Sequence, residues 1–184
     1  MGRPLVVVFP EFAEQDLAWI QDLRRQYDAL SMAAIDPHFT LVRPREGIEA
    51  DALAQALPGR LTGVRPFEFI LREARVVAPT DESDYSYVFL IPDEGSEEFF
   101  RLHRQIGSGA FIPHITICRS LRLAHCEKLA DELNSRGIEV RGKVTALDIV
   151  VEDGARLAKV HRHILGDSKP SDSRGREQPA DVIL

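Results

Sequence analysis

A seven-residue segment that occurs twice constrains this chain more than any other feature. Pro37-His38-Phe39-Thr40-Leu41-Val42-Arg43 is echoed, at an offset of 76 residues, by Pro113-His114-Ile115-Thr116-Ile117-Cys118-Arg119. The Pro, His, Thr and Arg positions are identical, and those between them are apolar. Six His and five Thr placed at random in 184 residues give roughly 0.16 His-x-Thr pairs. Two occur, within one longer shared pattern, so the chain reads as an internal duplication. The same offset continues downstream, relating Leu53 to Leu129, Ala54 to Ala130, Leu57 to Leu133, Arg60 to Arg136 and Leu71 to Leu147.

Each copy sits in a similar context. Apolar runs at Leu5–Phe9 and Tyr87–Ile91 end at Pro10 and Pro92 and read as buried strands. Apolar residues at helical spacing follow each run: Leu17, Ile20 and Leu23 in the first half, Phe99, Leu102 and Ile106 in the second. Helices are expected over Ala50–Leu57 and Ala124–Asn134, and strands over Phe67–Val77, Val144–Val151 and Arg156–Ile164. The expected fold is α+β and bilobal: two pseudo-two-fold-related lobes of largely antiparallel sheet with outer helices, and an active-site cleft between them. Residues 1–166 would form this single domain. The polar tail 167–184 carries two prolines and no apolar periodicity, and is expected to be disordered.

On a strand, residues i and i+2 point to the same face. His38 and Thr40 therefore lie side by side, as do His114 and Thr116, while Phe39 and Ile115 point into the core. Two such strands facing each other give a cleft with two imidazoles and two hydroxyls. That set suits a phosphodiester: one His takes a proton from the attacking oxygen, the other protonates the leaving oxygen, and the Thr hydroxyls donate to the non-bridging oxygens. Strict alternation places Arg43 and Arg119 on the opposite face, where they would make surface ion pairs. A bulge or strand twist would instead turn them toward the cleft, where a guanidinium suits phosphate.

This duplicated His-x-Thr pattern resembles the two-histidine (2H) phosphoesterase superfamily, which includes the 2′-5′ RNA ligase-like proteins and cyclic phosphodiesterases. The resemblance spans about Leu5 to Ile164. It implies a bilobal fold, a site without metal or other cofactor, and action on 2′,3′-cyclic phosphates, ADP-ribose 1″,2″-cyclic phosphate or 2′-5′ linkages. It also implies His38 and His114 as the acid/base pair and Thr40 and Thr116 as phosphate-binding residues.

Other residues offer weaker candidates. Tyr87, Tyr85 and Phe111 could stack on a base. Phe12 is a platform or a packing residue for the first helix. His103, His125, His161 and His163 lack a partner Thr and are expected to be exposed or locally hydrogen-bonded. His161 and His163 share a strand face, but two ligands make a weak metal site.

Composition bounds the partners. Formal net charge is −6, which argues against gripping long duplex nucleic acid through its phosphates. A nucleotide cyclic phosphate or an RNA terminus remains compatible. No apolar run approaches the roughly 20 residues of a membrane helix. The two cysteines, Cys118 and Cys126, read as reduced thiols, so the expected setting is cytoplasmic, and a monomer is expected. Two rival readings are an inactive module that binds nucleotides or RNA ends, and a metal hydrolase using the His pairs.

Overall fold

Two antiparallel sheets carry the chain, and each holds one His-x-Thr segment on its edge strand. The computed structural model describes residues 3–28, 35–43, 47–81, 83–153 and 156–166. The tail expected to be disordered, 167–184, lies outside the described residues. In chain order the elements are β1 (Pro4–Val8), β2 (Glu11–Phe12), α1 (Glu14–Tyr27), β3 (Phe39–Val42), α2 (Ala50–Arg60), β4 (Phe67–Val77) and β5 (Ser86–Glu94). There follow α3 (Ser96–Ile106), β6 (Ile115–Ser120), α4 (Leu123–Arg136), β7 (Val140–Val144), β8 (Ala146–Asp153) and β9 (Arg156–Ile164). The first sheet has the order β3-β1-β8-β9 and the second β2-β7-β4-β5-β6.

The two-lobed antiparallel plan expected from the repeat is present, but the lobes are not the two halves of the sequence. β4, which closes the first half, pairs with β5 in the second sheet. β8, which closes the second half, pairs with β1 in the first. The helices cross over in the same way, with α1 packing on β6 and α3 packing on β3. Each sheet is thus built from both halves. The expected strand Val144–Val151 is two strands: the chain changes sheet at Thr145, whose hydroxyl donates to Glu11 Oε1 at 2.7 Å.

One aromatic cluster joins the sheets. Phe39 of β3 is fully buried and meets Phe69 of β4 edge-on at 5.2 Å and Phe99 of α3 at 4.2 Å. Phe67 and Phe12 complete the cluster against Phe99 and Phe69. Phe12 is therefore a packing residue of the core and not a base platform. Gly95 makes the turn between β5 and α3 with φ +81°, and a Cβ there would lie 2.6 Å from the Glu68 carbonyl oxygen. Only glycine meets both demands.

Truncating Phe39 removes a ring from both sheets' shared core. Phe39→Ala should cost about 3–5 kcal/mol of stability, read as a lowered urea midpoint at unchanged slope. A loss under 1 kcal/mol would show that the cluster does not hold the sheets together.

Candidate active site

The alternation rule delivers the central residues. Phe39 and Ile115 are buried, and His38, Thr40, His114 and Thr116 are each half-buried on the other face. The two copies then depart from alternation at the same place. In the β1–β3 ladder Val7 pairs with Thr40 and Val6 with Val42, leaving Leu41 unmatched. In the β5–β6 ladder Phe89 pairs with Thr116 and Val88 with Cys118, leaving Ile117 unmatched. Each His-x-Thr strand therefore carries a β-bulge directly after its threonine. Leu41 and Val42 are both buried, as are Ile117 and Cys118, so the bulge reverses the parity beyond it. Arg43 and Arg119 consequently return to the face of His and Thr, against the strict alternation expectation.

The histidines are held alike. His38 Nδ1 donates to the Asp36 carbonyl at 2.9 Å, and His114 Nδ1 donates to the Ile112 carbonyl at 2.7 Å. Both contacts reach back two residues. With Nδ1–H committed to a carbonyl, the lone pair of a neutral ring sits on Nε2. Each ring also has an aromatic neighbour, supplied differently in the two halves. Phe89 stacks on His114 at 3.7 Å, whereas Phe9 lies tilted against His38 at 5.8 Å.

A cavity of about 560 Å³ opens beside this pair. Among the sequence candidates, Thr40, Arg43, Tyr85, Tyr87, Phe111, His114 and Thr116 line it. His38 is not in that lining; it sits against Phe9 at the β1 side of Thr40. Arg119 also stays outside the lining and places its guanidinium 5.0 Å over the Tyr85 ring. The Tyr87 hydroxyl is 3.1 Å from Ser83 Oγ, which ties the wall to the preceding turn.

Both rings titrate below the ordinary imidazole value. Burial pushes His38 down to about 4, opposed by its bond to the Asp36 carbonyl and reinforced by Arg24, His114 and Arg43. Burial also lowers His114, with Arg43 adding to it against the bond to Ile112. Both imidazoles are thus held toward the neutral form, where ordinary values near 6.5 would leave a share of each ring protonated near neutral pH. Burial pushes the Cys118 thiol up to about 12 and raises Cys126 as well, so neither presents a thiolate at neutral pH.

Three contributors escape sequence reasoning. Phe89 supports His114. Arg24 is a buried cation on α1 that donates to the Ile35 carbonyl at 2.9 Å, just ahead of the first motif. His103 was expected to be exposed or bonded locally. It is buried, lines the cavity, bonds the carbonyl of the bulged Leu41 at 2.9 Å and stacks on Phe111 at 4.3 Å. Its position completes the apolar face of α3, four residues after Phe99. The other histidines are peripheral: His125 is exposed beside Tyr27, and His161 pairs with Asp51 at 2.9 Å. His163 is half-buried. Among the described residues no cluster of three or more His, Cys, Asp or Glu side chains is placed to hold a metal.

A family model described as the 2′-5′ RNA ligase superfamily matches residues 10–156. No curated protein sequence matches the chain significantly. Among solved structures, Escherichia coli LigT complexed with 3′-AMP superposes with a TM-score of 0.58 at 15% identity, covering 90% of this chain and 98% of that one. LigT complexed with ATP gives 0.52 at 18% identity, covering 89% and 97%. A protein described as a phosphoesterase gives 0.51 at 17% identity, covering 90% and 99%. At these identities the likeness is one of fold.

Among the described residues, Arg43 is the side chain whose charge depresses both histidines. Arg43→Gln should therefore raise the titration midpoints of His38 and His114 together, followed by NMR of the ring signals. Arg119→Gln should move neither. Unchanged midpoints in Arg43→Gln would remove Arg43 from the field of the pair.

Proposed function

The chain belongs to the 2′-5′ RNA ligase superfamily, and on that premise we propose that it is a metal-independent phosphodiesterase acting on 2′,3′-cyclic phosphates of nucleotides or RNA ends. The observation that carries this reading is the duplicated histidine mount. Two imidazoles, each with Nδ1 fixed to the carbonyl two residues back, offer two Nε2 atoms whose roles are interchangeable.

In hydrolysis one Nε2 removes a proton from water as the water oxygen attacks phosphorus. The bond to the leaving ribose oxygen breaks, and the other Nε2–H protonates that oxygen. The product is a ribose monophosphate with the adjacent hydroxyl freed. Either ring can serve as the base, and His38, lowered by burial, Arg24, His114 and Arg43, is neutral and available for that role. The other ring carries the proton once the anionic substrate is bound. The Thr40 and Thr116 hydroxyls donate to the non-bridging oxygens, and Arg43 balances the charge that develops there. With the 5′-hydroxyl of a second nucleotide in place of water, the same step breaks the bond to the 3′ oxygen, protonates that oxygen and forms a 2′-5′ linkage. Tyr87 and Phe111, on the cavity wall, present ring faces to the base. The buried, reduced cysteines fit a cytoplasmic protein.

A substrate panel tests this. It compares nucleoside 2′,3′-cyclic phosphates, ADP-ribose 1″,2″-cyclic phosphate and 2′-5′-linked dinucleotides, each with and without chelator. Cyclic phosphate should be opened at equal rate in both conditions. Because both free histidines titrate below 6.5, kcat/KM should fall about tenfold per pH unit above that value. Strict dependence on added metal would point to a metal hydrolase. Tight monophosphate binding with no turnover of any substrate would point to an inactive nucleotide-binding module.

A further inference from the structure

The 560 Å³ cavity accounts for only one side of the histidine pair. The other side is the continuation of the first sheet beyond β3. Residues opposite one another in a ladder share a face. Thr40 is opposite Val7, Val7 is opposite Asp148, and Asp148 is opposite Arg162. Arg162 and Asp148 therefore lie on the face of Thr40 and His38. Val150 shares the face of Asp148 two residues away, and its partner across the ladder is Lys159.

Side-chain contacts agree with this register. Lys159 places Nζ 3.7 Å from the centroid of the Phe9 ring, and Phe9 in turn meets His38. Arg162 lies 3.8 Å from Asp148, which is almost wholly buried and whose other carboxylate oxygen has no hydrogen-bond partner. α2 packs against β8 and β9, and it holds the opposite face, where His161 meets Asp51. On the face turned to His38, Val7, Asp148 and Val150 are buried, and the exposed groups beyond them are Lys159 and Arg162, the latter paired with Asp148. Asp148 offsets Arg162 and Arg3 offsets Glu152 on this face, so the net positive charge left beside Phe9 is that of Lys159, which favours an anion in a chain of net charge −6.

We propose that this face of the first sheet is a second nucleotide subsite. Lys159 and Arg162 hold the phosphate next along the strand from the one between the histidines, and the Phe9 edge supports the intervening sugar. Asp148 acts as a positioning residue that aims Arg162. The inference rests on the phosphodiesterase reading and deepens it: the substrate is an oligonucleotide end and not a mononucleotide.

The test measures binding, so that it does not depend on turnover. With turnover arrested by His114→Asn, dissociation constants are measured for a nucleoside 2′-monophosphate and for a 2′-5′-linked dinucleotide carrying one further terminal phosphate. The dinucleotide should bind more tightly. Adding Lys159→Gln should weaken it about fivefold at low salt, and the loss should shrink as salt is raised. The mononucleotide should change less than twofold. Arg162→Gln should act in the same direction, but Lys159, being exposed and unburdened by a buried carboxylate, carries the decision. Equal losses for the two ligands, or no loss for the dinucleotide, would overturn the subsite. A normal substrate panel alongside either of those results would leave the phosphodiesterase reading standing. A silent panel alongside a selective dinucleotide loss would leave the subsite standing and remove the reaction.

Discussion

Burial of the Phe39 ring between Phe69 and Phe99 is the contact on which the rest depends. It is a long-range contact between the edge of one sheet, a strand of the other and a helix of the second half. Once that ring is inside, the pleat leaves His38 and Thr40 no choice but to face outward. The same ring fixes the edge of the first sheet relative to β4, which belongs to the second. The spacing of the two histidines is thus set by core packing, not by any contact between them. In the second copy Ile115 is the inward residue, and the aromatic function passes to Phe89, which backs His114 directly.

The exchange of strands and helices between halves has a functional consequence. β3 and β6 each pack against a helix of the other half, so neither His-x-Thr strand can shift without moving both sheets. The paired bulges then do the same local work twice, bringing an arginine back to the active face. The two arginines diverge from there. Arg43 reaches the cavity and depresses both imidazoles, while Arg119 is spent over Tyr85. A duplicated scaffold has in this way become asymmetric, with an aromatic-lined cavity on one side of the histidines and Phe9 capped by Lys159 on the other.

Much of this was legible in the sequence because it rests on local periodicity. The His-x-Thr pairs, Phe67–Val77 and Arg156–Ile164 follow from strand pattern, and the helices from apolar spacing. The exchange of β4 and β8 was not, since a strand's own pattern does not name its partner. β7 was invisible because Val140-Arg141-Gly142-Lys143-Val144 has few apolar residues and a glycine. The bulges had a signal that alternation overrode: Leu41-Val42 and Ile117-Cys118 are adjacent apolar pairs in strands that otherwise alternate. His103 falls at i+4 from Phe99 and i−3 from Ile106, so helical spacing marked it as a core residue. Lys159 carried no signal, because its role arises only from the register of β9.

The central claim is that His38 and His114 act as one acid–base unit on one phosphate. A double-mutant cycle on kcat/KM for opening of the cyclic phosphate measures this directly. For a single unit, His38→Ala, His114→Ala and the double variant should lose activity to nearly the same extent, because removing either partner disables the shared step. Losses that multiply in the double variant, or near-normal turnover in either single one, would show two independent residues and contradict it.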